Sequence, residues 1–586
     1  MQRNLSATRS GLHPMQWSLL AGVIALGIVP LTLAALRLQA VTDTAMIDAM
    51  VLFFQQHKAQ EALQFSIYEA FASTVLTILI GLPVAWALGR FHWRRLRLRR
   101  TLLYLPFVTP PVVAAVGFLA MFSEGGWVHM IGLGFRSETN NLADPGAWLT
   151  DGVQFGQFAG LILAHAWFNI SLMIRFVEPV VAQLDPAWEE QLSLLPSGRT
   201  WRGRVKTLWA PMLGPAVGVA ATYTFFFSFT SFALVRWLIP GRHTLESLLA
   251  DLGGSAGIEG YRIDTSLAVL SIAGVQMMLM LAMLWAAGRF ERKRSYVLSL
   301  NNESSNRTQR GKPPIIWSLG VSAVVAVSMT PYVSVLIASF RMRGNVSEEF
   351  TWTLAGWRRA ISGDTSTISL IEAIGNSLTY AGITVLVALP LGYGVAASLT
   401  QLRKQGRTKI AGLLDSLCMV PLSVSAVVVG LGIVIGMLRW YPDLFLFPYL
   451  PALPHIMLVL PFVIRLLVPA MERIDSAYIQ QARMLQMSGL RLWWHSKGAF
   501  LLPSMTMAAS LCLAFSLGEF GASYLVVRVG SWNTLSIMVD MVAGRPKFDP
   551  VVTPTAMALA TMLMLLTFII LGLNERLRTR GGNDDV

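Results

Sequence analysis

The chain has 586 residues, 54% of them hydrophobic and only 13% charged, with a mean hydropathy of +0.56. A soluble domain carries about 25% charged residues, so the composition excludes a soluble core of this length and points to lipid as the solvent. The net charge of +14 would suggest nucleic acid in a soluble chain. Here the basic residues sit in short loops between apolar runs, so they read as topology signals facing an anionic lipid bilayer, and no nucleic-acid partner is expected.

A membrane-spanning helix needs about 20 mostly apolar residues. Runs of that kind fall at 17–38, 65–88, 101–122, 155–175, 212–236, 265–287, 315–340, 374–398, 412–437, 447–467, 503–527 and 552–573, which predicts an all-α polytopic protein of about twelve transmembrane helices. The first run follows Arg3 and Arg9 and is longer than a signal-peptide core, so an uncleaved first helix is expected. Pro83, Pro390 and Pro461 lie inside runs without vetoing them, because neighbouring helices can satisfy the freed backbone groups. Cys418 and Cys512, each inside an apolar run, read as small core residues.

Orientation follows from the basic residues. Arg90, Arg94, Arg95, Arg97, Arg99 and Arg100 follow the second run; Arg289, Arg292, Lys293 and Arg294 follow the sixth; Arg403, Lys404, Arg407 and Lys409 follow the eighth; Arg576, Arg578 and Arg580 close the chain. All fall on one side, which predicts cytoplasmic N- and C-termini in a cell inner membrane. Glu124, Glu138, Asp144 and Asp151 lie on the opposite side.

The polar stretch 295–314, SYVLSLNNESSNRTQRGKPP, cannot bury a core and reads as a cytoplasmic linker. It separates 1–294 from 315–586, and the two halves repeat each other. Gly81-Leu82-Pro83 corresponds to Ala388-Leu389-Pro390, Leu105-Pro106 to Val420-Pro421, and Ile174-Arg175 to Ile464-Arg465. Six helices is an even number, so the repeats are parallel and related by an axis along the membrane normal, on which a pore is expected.

Two long loops stand at matching places, 176–211 and 468–502. Each opens with a helix-capping acid, Asp185 or Asp475, continues as a short amphipathic helix, breaks at Gly198 or Gly489, and meets a proline, Pro211 or Pro503, at the next membrane helix. A short helix lying across the cytoplasmic face can be gripped by a partner and pass on a rigid-body movement. These loops resemble the "EAA" coupling loops of binding-protein-dependent ABC importer permeases, in which Glu-Ala-Ala is followed by Leu-Gly and Leu-Pro. Gln480, Gln481, Ala482, Leu485 and Pro503 fall on that pattern in the second loop, with Gln486 in place of the glycine; Glu189, Glu190, Gln191, Leu194 and Pro211 fall on it in the first, with Leu195 in that place. The resemblance implies the type I importer permease fold, a cytoplasmic ABC ATPase homodimer docked on the loops, and a periplasmic solute-binding protein. No GxxxxGK[ST] motif is present. The chain is therefore expected to be a transport subunit and not an enzyme, with no cofactor of its own, ATP and Mg being used by the partner.

Polar groups inside apolar helices are functional candidates. Ser228 and Ser231 in the fifth run align with Ser516 and Glu519 in the eleventh, and these are expected to line the path. A carboxylate at Glu519 would suit a cationic solute; its alternative role is a buried acid paired with Arg236, Arg528 or a backbone donor. His165 and Asn169, one turn apart in the fourth run, are further candidates for the path; with no HExxH or clustered partner, no metal is expected there. SLGEFGASYLVVRVGSWNTLSIMV, SFTSFALVRWLIPGRHTLESLL and the His165–Asn169 segment resemble the thiamine and iron(III) importer permeases, which also fuse two units in one chain. That likeness implies thiamine, with iron(III) as the alternative and other small solutes open. An ion-coupled secondary transporter also has two parallel halves, but would leave the paired loops unexplained.

Overall fold

The computed structural model describes residues 12–580 except 124, 132–151, 185, 256–262, 301–310, 344–348, 364–367, 438–439, 475, 528–529 and 547. The capping acids Asp185 and Asp475, the acids 124, 138, 144 and 151, Arg528 and the middle half of the linker, 301–310, lie outside these residues.

Apolar runs become helices in chain order. They are α1 (Pro14–Thr42), α2 (Met46–Leu52), α3 (His57–Arg90), α4 (Leu96–Val108), α5 (Pro111–Phe122), α6 (Gly152–Gln183), α7 (Pro186–Leu194), α8 (Trp201–Phe229), α9 (Ala233–Leu238), α10 (Leu245–Ser255) and α11 (Ile263–Leu300). The second repeat supplies α12 (Ile315–Ser339), α13 (Ala355–Ser362), α14 (Leu370–Lys404), α15 (Thr408–Cys418), α16 (Ala426–Leu431), α17 (Ala452–Glu472), α18 (Ser476–Met484), α19 (Gly489–Gly518), α20 (Gly521–Val526), α21 (Leu535–Ala543) and α22 (Val552–Arg580). A small antiparallel hairpin, Arg341–Arg343 with Phe350–Trp352, follows α12. Among the described residues 11 helices are long and apolar enough to cross a membrane. The chain is an all-α, multi-pass membrane protein.

Three features depart from the sequence reading. The run 101–122 is two helices, because Pro110 and Pro111 remove N–H donors and push Thr109 to extended backbone. The run 412–437 is likewise divided, with a 3₁₀ turn at Val420–Ser423 around Pro421 and a π turn at Gly432–Met437 after α16, and it accounts for the difference between twelve expected spans and the eleven observed. The head of the expected linker, 295–300, continues α11 as helix. By contrast Pro83, Pro390 and Pro461 sit inside unbroken α3, α14 and α17.

The chain forms two compact units that do not coincide with its two sequence repeats. One comprises the residues to Asp43, Ile361–Met541 and the chain from Met562; the other comprises Thr44–Ala360 and Val542–Thr561. Each unit therefore holds the first helix of the other repeat. In the first unit α1 packs on α14, α16 and the π turn. A Cβ at Gly27 would stand 2.6 Å from Pro421, and one at Gly436 2.4 Å from the Pro30 carbonyl, so small residues let these backbones approach closely. In the second unit α12 packs on α4 and α5: Thr109 Oγ1 lies 2.7 Å from Tyr332 OH, and Trp167 Nε1 donates to the Ser328 carbonyl at 2.8 Å. The core of the first unit gathers Leu20, Ala388, Val395, Val463 and Cys512; that of the second gathers Leu88, Met173, Val177, Ala216 and Val321.

Candidate functional site

Among the described residues the two loops expected to couple are largely helical and shorter than their sequence spans. α6 runs on to Gln183 and α8 begins at Trp201, leaving α7 and a 3₁₀ turn at Pro196–Gly198 between them. In the second loop α17 ends at Glu472 and α19 begins at Gly489, with α18 between. Both following helices pass through a π turn at matching places, Val205–Trp209 and Trp494–Gly498, so Pro211 and Pro503 lie inside helices. The turns differ. Gln486 takes a left-handed conformation at φ 56°, the geometry a glycine adopts without cost. Leu195 is extended, at φ −88°. Counted from Asp185 and Asp475, Pro196 stands where Gln486 does, and a proline with its φ locked near −65° cannot turn left-handed. Gly198 closes that alternative turn, because a Cβ there would meet the Leu192 carbonyl at 1.8 Å.

Of the loop residues, Glu190, Gln191, Leu194, Gln480, Gln481 and Leu485 are exposed, Leu194 at 80% and Leu485 at 70%, while Ala482 is buried. Glu189 turns inward. Arg90, at the end of α3, forks onto both its carboxylate oxygens, and Trp209 Nε1 donates to Oε1 at 3.1 Å.

Past the loops, both following membrane helices break where the sequence aligned Ser231 with Glu519. α8 stops at Phe229 and resumes as α9; α19 stops at Gly518 and resumes as α20. Non-helical backbone at membrane depth persists only when buried in protein or lining a cavity. Here it is satisfied locally: Glu519 accepts from the N–H of Ala522 at 2.7 Å and of Ser523 at 2.9 Å, and the Ser231 N–H donates to the Ser228 carbonyl at 3.0 Å.

A buried histidine sits beside each break. His455 on α17 lies, through Nδ1, 2.7 Å from Ser516 Oγ and, through Nε2, 2.9 Å from Ser523 Oγ and 3.3 Å from Glu519 Oε2. Ser523 Oγ in turn donates to Glu519. This order fits Nε2–H donating to Ser523, whose hydroxyl donates on to Glu519. In the other unit His165 on α6 places Nδ1 2.8 Å from Glu69 Oε2 and 3.3 Å from Ser73 Oγ, both on α3. One turn on, Asn169 donates to Ser228 Oγ at 3.3 Å. His165 and His455 occupy equivalent places, each nine residues before the matched Ile-Arg pair. Their acids come from different helices, α3 in one unit and the α19–α20 break in the other.

Thus the structure gathers Ser516 with Glu519 and Asn169 with Ser228, beside His165. Ser231 contributes backbone only among the contacts described. Glu519 is engaged by His455, Ser523 and two backbone donors. The sequence reading passed over Glu69 and His455. Both were accessible to it: Glu69 is an acid inside an apolar run, and His455 aligns with His165. No group of three or more metal-ligating side chains occurs among the described residues.

Eleven apolar helices, a doubled sequence pattern and paired loops are consistent with a fused, two-copy permease of the ABC importer kind. No family model matches the chain. It is similar to the thiamine transport system permease protein ThiP of Brucella abortus (strain 2308), 25% identical over 500 residues that cover 80% of this chain and 82% of that one. ThiP of Haemophilus influenzae is 23% identical over 480 residues, covering 80% and 81%. The sulfate transport system permease protein CysT of Escherichia coli (strain K12) is 29% identical over 167 residues, 28% of this chain and 53% of that one.

Proposed function

We propose that the chain carries thiamine from a periplasmic solute-binding protein across the inner membrane, with both termini cytoplasmic, driven by a cytoplasmic ABC ATPase homodimer that uses ATP and Mg. The observation that carries the solute is the likeness to thiamine permeases along 80% of the chain; the sulfate permease likeness covers only 28%. Glu519 no longer argues for a cation, since its oxygens are taken up by neighbours. The docking reading rests on the loops. α7 and α18 leave Leu194, Leu195, Met484 and Leu485 exposed at the turns, where an apolar side chain gains from a partner's groove.

The test is ATP-dependent uptake by proteoliposomes holding the chain, its ATPase and its binding protein. Labelled thiamine, ferric iron and sulfate are offered separately. Accumulation of thiamine alone supports the proposal; accumulation of ferric iron or sulfate alone replaces the solute and leaves the importer standing.

A further inference from the structure

The two loops are fastened differently. In the first, Glu189 of α7 is clamped by the Arg90 fork, and both side chains are largely shielded, at 21% and 12% exposure. The guanidinium stands 5.5 Å from the Trp86 ring, which packs on Trp209 at 6.0 Å and Trp317 at 4.9 Å. Trp209 also donates to Glu189, so the carboxylate joins three elements: α3 through Arg90, α7 through its own backbone, and the π turn of α8 through Trp209. A bidentate arginine–carboxylate pair fixes orientation as well as distance, and aromatic walls that exclude water strengthen it. α3 is pinned a second time at Glu69 by His165, 21 residues or about 30 Å along the helix from Arg90. The single helix α3 thus joins the clamp on α7 to the buried histidine.

The second loop has no such fork onto its coupling helix among the described residues: at the end of α14, Arg403 pairs with Glu472 at 2.7 Å and Lys404 Nζ donates to the Ile474 carbonyl at 3.4 Å, both ahead of α18. By the repeat, Ala397 stands at the place of Arg90 and Tyr393 at that of Trp86. α18 is held instead by the Tyr478–Phe500 ring contact at 4.8 Å, and the start of α19 by a neutral hydrogen bond from Trp493 Nε1 to Tyr393 OH at 2.6 Å.

We propose that Arg90 is a positioning residue for energy coupling: it locks the first coupling helix to α3 through Glu189, so that the two loops transmit unequally and the first is the stiffer lever. This rests on the coupling role proposed above for the loops. The wild-type complex in proteoliposomes tests that role by itself, through solute uptake that requires ATP hydrolysis. The further test reads solute imported per ATP hydrolysed, together with the amount of ATPase bound to the permease. Arg90→Glu and Glu189→Arg each lower that ratio about tenfold, a usual size for a lost coupling interaction, with the ATPase still bound. The charge-swapped double variant recovers most of it. Tyr393→Phe in the second loop lowers the ratio less. A wild-type ratio in either single variant, a double variant no better than the singles, or an equal fall in Tyr393→Phe overturns the proposal. Should the reversals prevent assembly, Arg90→Lys, which keeps the charge and loses the fork, lowers the ratio in an assembled complex; a wild-type ratio there overturns it equally.

Discussion

His455 fixes a chain of buried hydrogen bonds from Ser516 to Glu519. Removing the imidazole takes one buried partner each from Ser516 and Ser523 while Glu519 keeps its backbone and Ser523 donors, a loss of about 1–3 kcal/mol. His455→Ala is thus expected to lower the melting temperature in detergent well below that of the exposed-site control Tyr478→Phe; equal melting would place the network outside the folding core. At Gln486 the expectation has the opposite sign. Gln486→Gly relieves a left-handed residue and stabilises by about 1 kcal/mol, whereas Leu195→Gly, at an extended position, gains nothing of the kind; melting curves of the two variants decide it. Asp549 is held below the ordinary carboxylate range by the Val551 N–H and by Arg359. A depressed folded-state value stabilises above the ordinary range and is lost as pH falls through the folded value. Asp549 is half-exposed, so the effect is small: Asp549→Asn flattens the acid limb of the stability curve slightly and leaves neutral pH nearly unchanged.

At the scale of elements, hydrophobic length and the doubled pattern were readable because lipid demands both a span and satisfied backbone. Helix ends were less so. Charged and aromatic residues such as Arg94 to Arg100 or Trp201 to Trp209 lower the local hydropathy, yet helices continue through or begin within them. The breaks at Ser231 and Glu519 were hidden for another reason: no proline marks either, and the glycines flanking Glu519 have no counterpart beside Ser231. The backbone at the second break is satisfied by the carboxylate of Glu519 itself, and the side chain that holds this carboxylate, His455, is distant in sequence. The same holds for Glu69, whose role depends on α3 and α6 lying side by side.

For the molecule as a whole, the exchange of first helices was not legible, since a repeat in sequence says nothing about which unit its first helix joins. It has a measurable consequence. Gly436→Val puts a branched side chain against the Pro30 carbonyl and is expected to cost about 1–3 kcal/mol by overpacking, raising protease sensitivity in Ile361–Met541 and not in Thr44–Ala360. Cleavage appearing first in Thr44–Ala360 would contradict the exchange.

On the proposed function, transport through this chain is driven by ATP through the paired loops. The direct measurement is solute uptake by proteoliposomes with and without the ATPase, at fixed ATP, with and without a protonophore. Uptake that requires the ATPase, ignores the protonophore and disappears when 176–211 or 468–502 is replaced by a flexible linker is the predicted result. Uptake that proceeds without the ATPase and collapses with the proton gradient would contradict it and make the chain an ion-coupled transporter.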